Sequence, residues 1–109
     1  MQNDVNVQSV CEHIIKQFSP DKIILFNVKH SVAGGIKSFK VCIVLDTAKK
    51  AEVEKRIYLD IDSDIPFDVL VYTPLEWEGL MQEQHSFAKS ITQEGTYIYD
   101  SNQPQGRQK

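Results

Sequence analysis

The fold is decided by one stretch in the second half of the chain, Phe67-Asp-Val-Leu-Val-Tyr-Thr-Pro-Leu-Glu-Trp77. Its first six residues are aliphatic or aromatic except for one aspartate, a composition typical of a buried strand. Thr73 can then cap a helix, Pro74 suits the first helical position, and Glu76 completes a capping box. The stretch therefore predicts a strand that leads directly into a helix.

Further elements are predicted on both sides of this stretch. They are a helix whose apolar stripe runs over 7–18, strands over 22–28 and 39–45, a surface helix over 48–58, a helix over 86–94 and a short strand over 96–99. Asp4 can cap the first helix, and Ser19-Pro20 ends it. The order of elements predicts an α+β (α/β) domain, a mixed sheet of four strands with helices packed mainly on one face.

The size and composition of the chain limit its class. A length of 109 residues fits one domain, which we assign to residues 1–100, followed by a polar tail over 101–109 that we expect to be disordered. A net charge of -3 gives no general attraction to DNA or to anionic membranes. No apolar run approaches the roughly 20 residues that span a bilayer, and the N-terminus lacks a signal-peptide pattern, so we expect a cytoplasmic protein. Cys11 and Cys42 lie in apolar patterns and are predicted to be buried free thiols.

Three segments carry a family resemblance when they are taken together. They are Ser19-Pro-Asp-Lys-Ile-Ile-Leu-Phe26, Ser38-Phe-Lys-Val-Cys-Ile-Val-Leu45, and the opening stretch with Phe87-Ala-Lys-Ser-Ile91 and Glu94-Gly-Thr-Tyr-Ile-Tyr99 after it. Over about residues 7 to 100 they resemble the minimal nucleotidyltransferases, a small bacterial group related to DNA polymerase beta. The resemblance implies a nucleotidyltransferase-like sheet.

The resemblance also indicates where the metal ligands of the family would stand. Family members hold divalent metals with an Asp-x-Asp pair on the second strand and a third aspartate on a neighbouring strand. In this chain Phe39 and Val41 occupy the paired positions, and only Asp68 remains as a carboxylate. Asp68 is then either an inherited carboxylate without a function or the remnant of a ligand site. Magnesium prefers several carboxylate oxygens, so we expect no metal and no cofactor.

The phosphate-binding turn of the family is altered as well. The Gly-Ser turn that would bind phosphates is represented by Asn27 and Val28, followed by Lys29. Valine has no hydroxyl group for a phosphate and disfavours a positive φ. A basic rim could still bind a nucleotide or another anion weakly without metal, or it could be scattered charge on a loop; its residues are Lys29, His30, Lys37 and Lys40, around Gly34-Gly35.

Other residues have competing interpretations. Asp60-Ile-Asp62 repeats the Asp-x-Asp spacing, but it lies between a predicted helix and Pro66, where a solvated loop is the favoured interpretation. Asp46 is interpreted as a turn or cap residue. Trp77 is interpreted as a core residue, although an exposed Trp77 would indicate a partner surface.

The expected function follows from the missing ligands. The resemblance implies a catalytically inactive member of the fold that acts as a binding or regulatory partner. Family members of this size often pair with a small helical protein of the HEPN type, in some cases as toxin and antitoxin, and a homodimer is equally compatible. The alternative is an active nucleotidyltransferase that uses Mg²⁺ to move a nucleotide from a nucleoside triphosphate to a protein or small acceptor. Asp68, Asp46 or a partner chain would then hold the metal.

Overall fold

The computed structural model describes residues 4–101. The elements, in chain order, are α1 (Val5–Phe18), β1 (Lys22–His30), β2 (Ile36–Val44), α2 (Lys50–Asp60), β3 (Phe67–Tyr72), α3 (Pro74–Met81), α4 (Phe87–Glu94) and β4 (Thr96–Asp100). This order is the one that the sequence predicts. Apart from Ser101, whose N–H donates to the carbonyl of Asp21, the predicted polar tail lies outside the described residues.

The four strands form one open mixed sheet, which confirms the predicted fold class. The strands follow the order β3-β2-β1-β4 across the sheet. β1 is antiparallel to both β2 and β4, whereas β2 and β3 run parallel. β3 and β4 are therefore the two outer strands of the described part of the chain.

The helices are divided between the two faces of the sheet, which differs from the expectation that they pack mainly on one. We call the face covered by α1 and α2 the first face, and the face covered by α3 and α4 the second face. The physical reason lies in β1 and β2, which are apolar at both parities. In β1, Ile23 and Leu25 lie in the first-face core and Ile24 and Phe26 in the second-face core. Both faces must therefore be covered by helices.

Local capping fixes both ends of α1 and the starts of α3 and α4 at the predicted residues, whereas α2 lies two residues later than predicted and has no side-chain cap. The Asp4 carboxylate accepts hydrogen bonds from the first turn of α1, and Ser19 ends that helix in the left-handed conformation. Thr73 and Glu76 form the complete capping box of α3. Ser86 caps α4 by accepting from the N–H of Lys89. Each of these groups forms a hydrogen bond with a backbone group at a helix end that has no partner in the regular helix.

Gly95 allows α4 to return the chain closely onto β1. A Cβ at this position would lie 2.6 Å from the carbonyl oxygen of Ile91 and 2.7 Å from that of Leu25. Gly95→Ala should therefore destabilise the fold by about 1–3 kcal/mol, measured by urea unfolding. Gly79→Ala is the matched control, because a Cβ there meets nothing within 4 Å inside α3. It should stabilise by about 0.5–1 kcal/mol, and equal destabilisation of both variants would contradict the assignment.

The two cysteines are free and buried on opposite faces of the sheet, as predicted. Cys11 belongs to the first-face core and Cys42 to the second-face core. Burial raises the pKa of each thiol from 9.0 to about 12, and the charge of Glu12 adds to the increase at Cys11. The thiolate is the reactive form, so both thiols are inert in the folded protein near neutral pH.

These pKa shifts predict a loss of stability in alkali. The unfolded thiols ionise near pH 9.0 and the folded thiols only near pH 12. Their contribution to stability is therefore fully present below pH 9.0 and is lost as the pH rises toward 12. The urea midpoint should fall between about pH 8 and about pH 10.5, and it should fall less in Cys42→Ala. An equal fall in that variant would show that Cys42 contributes nothing.

A side chain from α2 covers part of the outer strand β3. The Tyr58 hydroxyl accepts a hydrogen bond of 2.8 Å from the backbone N–H of Val69. Burial raises the pKa of Tyr58, with the nearby Asp68 and Glu54 carboxylates adding to the increase. The hydroxyl therefore stays protonated and occupies a main-chain donor at the edge of the sheet.

Candidate functional site

The two positions where the family has its paired aspartates lie in the hydrophobic core. Phe39 and Val41 are 1% and 0% exposed and belong to the first-face core. The Phe39 ring stacks on Phe67 with the ring centroids 5.6 Å apart. Two hydrocarbon side chains enclosed by α1, α2 and the sheet therefore stand where the resemblance would place metal ligands.

Asp68 lies on the opposite face of the sheet from these two residues. In the parallel pairing of β2 with β3, Phe39 is the partner of Phe67, and Lys40 is the partner of Asp68. Side chains alternate between the faces along a strand, so Lys40 and the exposed Asp68 lie on the second face. At this outer strand the Asp68 carboxylate also reaches the Tyr58 hydroxyl of α2. Phe39 and Val41, in contrast, are enclosed in the core, so the three positions do not form one open site.

The residues expected at the phosphate turn lie inside a strand. Asn27, Val28 and Lys29 belong to β1, and the register of β1 with β2 slips between Phe26 and Lys29. Asn27 takes a φ of 51°, a left-handed conformation that asparagine tolerates better than most residues. The slip is a β-bulge that turns Val28 onto the first-face core. The residues that the resemblance aligns with a phosphate turn therefore form a bulged strand.

The change of direction between β1 and β2 occurs later in the chain, at residues 31–35. The Ser31 N–H donates to the Gly35 carbonyl over 2.7 Å, and Gly34 takes a φ of 100°. Glycine adopts this conformation without a steric cost, which explains the Gly-Gly pair in the sequence. β1 and β2 consequently form a longer hairpin than the sequence predicts.

The carboxylates of the alternative metal site are far apart. Asp46 follows the carboxyl end of β2, whereas Asp68 pairs beside Lys40 near the start of β2. Asp46 lies six positions after Lys40, four of them in β2, and an extended chain of that length spans roughly 20 Å. Over residues 4–101, no group of three or more His, Cys, Asp or Glu side chains could hold a metal ion. Asp46 and Asp68 therefore cannot share one.

The Asp60-Ile-Asp62 segment is only partly the solvated loop that the sequence favours, because Asp60 ends α2 and Ile61 is buried in the first-face core. The Ser63 hydroxyl donates to the carbonyl of Ile65 over 2.8 Å, which closes a local turn. Asp60 forms an ion pair with Arg56 at 3.8 Å and accepts a hydrogen bond from Gln17. The Asp60 side chain thus stabilises local structure at the surface.

The basic rim is only partly assembled. Lys29 pairs with Ser38 across the hairpin, and the alternation along β2 places Ser38 on the same face as Lys40. Lys29 and Lys40 therefore share the second face, beyond the part that α3 and α4 cover. The exposed ring of Phe87 meets Phe26 there edge-to-face, with the centroids 6.1 Å apart. This aromatic contact was not predicted, because Phe87 lies 61 residues after Phe26 in the chain. The arrangement places two cations beside one carboxylate, that of Asp68.

A groove between α1 and β4 was also not predicted from the sequence. It has a volume of about 240 Å³ and is lined by Val7, Gln8, Cys11, Glu12, Ile15, Thr96, Tyr97 and Ile98. Its lining is mainly apolar, with Gln8 and Glu12 as the polar residues on the helix side. One signal was present in the sequence, since the apolar stripe of α1 is wider than one buried face needs and leaves Ile15 only partly buried. Trp77, in contrast, is 6% exposed and is a core residue.

None of the helices within residues 4–101 has the length and apolar composition needed to cross a membrane. Comparisons of the chain with models of protein families, with curated proteins and with solved structures found no match.

Proposed function

We propose that this chain is a non-catalytic binding protein built on a nucleotidyltransferase-like fold. The observation that supports the proposal is the position of Phe39 and Val41, which lie in the first-face core while Asp68 lies on the second face. In a chain with this arrangement, core residues occupy the positions where the resemblance places metal ligands. Its remaining function would be carried by its surface.

The chemistry of nucleotidyl transfer explains why this observation matters. Divalent metals neutralise the charge that develops on the transferred phosphoryl group, and they need several oxygen ligands at one place. In this chain the carboxylates of Asp46 and Asp68 lie near opposite ends of the strands, on the evidence of the strand register. An active transferase would therefore need a second chain to complete its metal site.

The partner side of the proposal follows from the resemblance. A small helical protein of the HEPN type is the partner that the resemblance suggests, in a pair that works like a toxin and its antitoxin. The two free buried thiols fit a reducing compartment such as the cytoplasm. Binding, rather than turnover, would then be the regulated event.

A transfer assay tests the inactive assignment. The purified chain is incubated with labelled nucleoside triphosphates, Mg²⁺ or Mn²⁺ and candidate acceptors, alone and together with a co-expressed small helical protein. We expect no transfer of label and no metal binding by calorimetry. Metal-dependent transfer that disappears in Asp68→Ala would overturn the proposal. Asp62→Ala is the matched control, because that aspartate is also exposed but lies in the loop before β3.

A further inference from the structure

The edge of the molecule formed by α1 and β4 carries an inference about assembly. We propose that a second copy of this chain docks on this edge, so that the two α1 helices and the two β4 strands meet across a two-fold axis. The inference stands on α1, β4 and the groove between them. It holds whether or not the chain transfers nucleotides.

The groove is an apolar opening beside an outer strand. Cys11 and Ile98 lie on opposite sides of it, and Ile15 of α1 remains only partly buried. An outer strand beside an open apolar groove is a surface that proteins usually cover, because it exposes both main-chain groups and hydrocarbon. The side chains of α1 beside the groove indicate which molecule covers it.

One stripe of α1 points to a second copy. Val5, Gln8, Glu12 and Ile15 follow one another at spacings of three and four residues, so they lie along one side of the helix. The last three line the groove, and Val5 is 77% exposed at the end of the same stripe. Read along the helix, the stripe is apolar, polar, polar and apolar, a pattern that is the same in both directions.

This symmetry makes the stripe complementary to itself. A two-fold axis places two α1 helices antiparallel, and an isologous interface requires each residue to meet its counterpart reciprocally. With the axis beside the middle of the stripe, Val5 faces Ile15 of the second copy, and Gln8 faces Glu12. Gln8 and Glu12 are then both polar residues at the centre of the contact, and each Val5 side chain covers apolar surface at the other groove. The same contact therefore covers the apolar residues at both ends of the stripe.

The outer strand fits the same axis. β4 pairs with β1 through Tyr99 opposite Ile23 and Tyr97 opposite Ile24, so Ile98 is an extra residue on β4. Ile98 and Tyr99 both contact the first-face core below α1. Two β4 strands that meet antiparallel would join the sheets, with these apolar side chains continuing the core across the axis. The chain's own residues 102–109 fit the groove poorly, because they contain no large apolar side chain.

Solution mass measured by light scattering after size exclusion tests the proposal. We expect the wild-type chain to be a dimer and Val5→Asp to have half its mass, with unchanged circular dichroism because Val5 is exposed in the monomer. Val32→Asp is the matched control, because Val32 lies fully exposed in the hairpin turn, away from α1 and β4. It should remain a dimer. A monomeric wild-type chain, or a dimer that survives Val5→Asp, would overturn the proposal.

Disulfide trapping tests the orientation of the helices independently. In one chain residues 5 and 15 are ten residues apart on α1, about 15 Å, which is too far for a disulfide within the same molecule. Val5→Cys combined with Ile15→Cys should therefore give a covalent dimer on mild oxidation, and Val5→Cys alone or Val32→Cys with Ile15→Cys should give little. The pairs are introduced in a Cys11→Ala background, because Cys11 lines the groove one helical turn from Ile15. No covalent dimer from the first pair would show that the antiparallel arrangement is wrong.

Discussion

Phe39→Asp combined with Val41→Asp should unfold the domain, although it introduces the Asp-x-Asp pattern of the minimal nucleotidyltransferases into the sequence. Both positions are almost completely enclosed in the first-face core, at 1% and 0% exposure. A carboxylate there must either remain charged without a partner or take up a proton, and each outcome costs several kcal/mol. A domain is typically stable by only about 5–15 kcal/mol, so the pair should exceed what the fold can tolerate. Circular dichroism and urea unfolding measure the loss.

The matched control moves the same pair by one residue. Ser38→Asp combined with Lys40→Asp has identical spacing on β2, but these positions lie on the second face beside Asp68. The control should stay folded, with a cost of about 1 kcal/mol or less from the like charges. If Phe39→Asp with Val41→Asp gave a folded protein that bound Mn²⁺, the core assignment would be wrong and the active transferase would again be the better explanation.

Trp77→Ala should destabilise the protein by about 3–5 kcal/mol. Trp77 is 6% exposed in the second-face core, and its ring lies 5.7 Å from that of Tyr72. Truncation removes the largest side chain that α3 places on the sheet and leaves a cavity that two short helices cannot readily close. The urea midpoint should fall accordingly, with little change in the slope of the transition.

Leu75→Ala tests this assignment on the same helix. Leu75 is 80% exposed, two residues before Trp77, so its removal should change stability by less than about 0.5 kcal/mol. Similar losses in both variants would mean that α3 is held by more than its buried face. A small loss in Trp77→Ala would revive the interpretation of that residue as part of a partner surface.

The elements of this fold could be predicted because their signals are local. Thr73, Pro74 and Glu76 specify the start of α3 within four residues, and the structure shows the capping box that they form. Asp4 at one end of α1 and Ser19 at the other act in the same way. Each signal depends on hydrogen bonds between near neighbours in the chain, which the sequence contains completely.

The distribution of helices over the sheet was harder to predict because it depends on both faces of each strand. The run Ile23-Ile-Leu-Phe26 is apolar at every position, which is typical of a strand covered on both sides. This run taken alone favours helices on both faces of the sheet. The bulge at Asn27 carried a weaker signal, since asparagine is only one of several residues that tolerate a left-handed conformation.

The candidate site could not be derived from the sequence because it depends on strand register. Pairing Lys40 with Asp68, rather than Phe39 with Asp68, decides on which face the carboxylate lies. A shift by one residue exchanges the faces, and no local signal in β3 fixes that choice. The groove has the same origin, since α1 and β4 are separated by most of the chain and meet only in the folded protein.

The hydrogen bond from Val69 to Tyr58 has a consequence for how far this protein can aggregate. Fibrils grow when a sheet accepts new strands at both margins, because every added molecule then offers a fresh template. In this chain the tyrosine occupies a donor on one margin. With this donor occupied, the β3 margin is a poorer template for an added strand. Association through the β4 margin alone would end in a closed pair and would not propagate into a fibre.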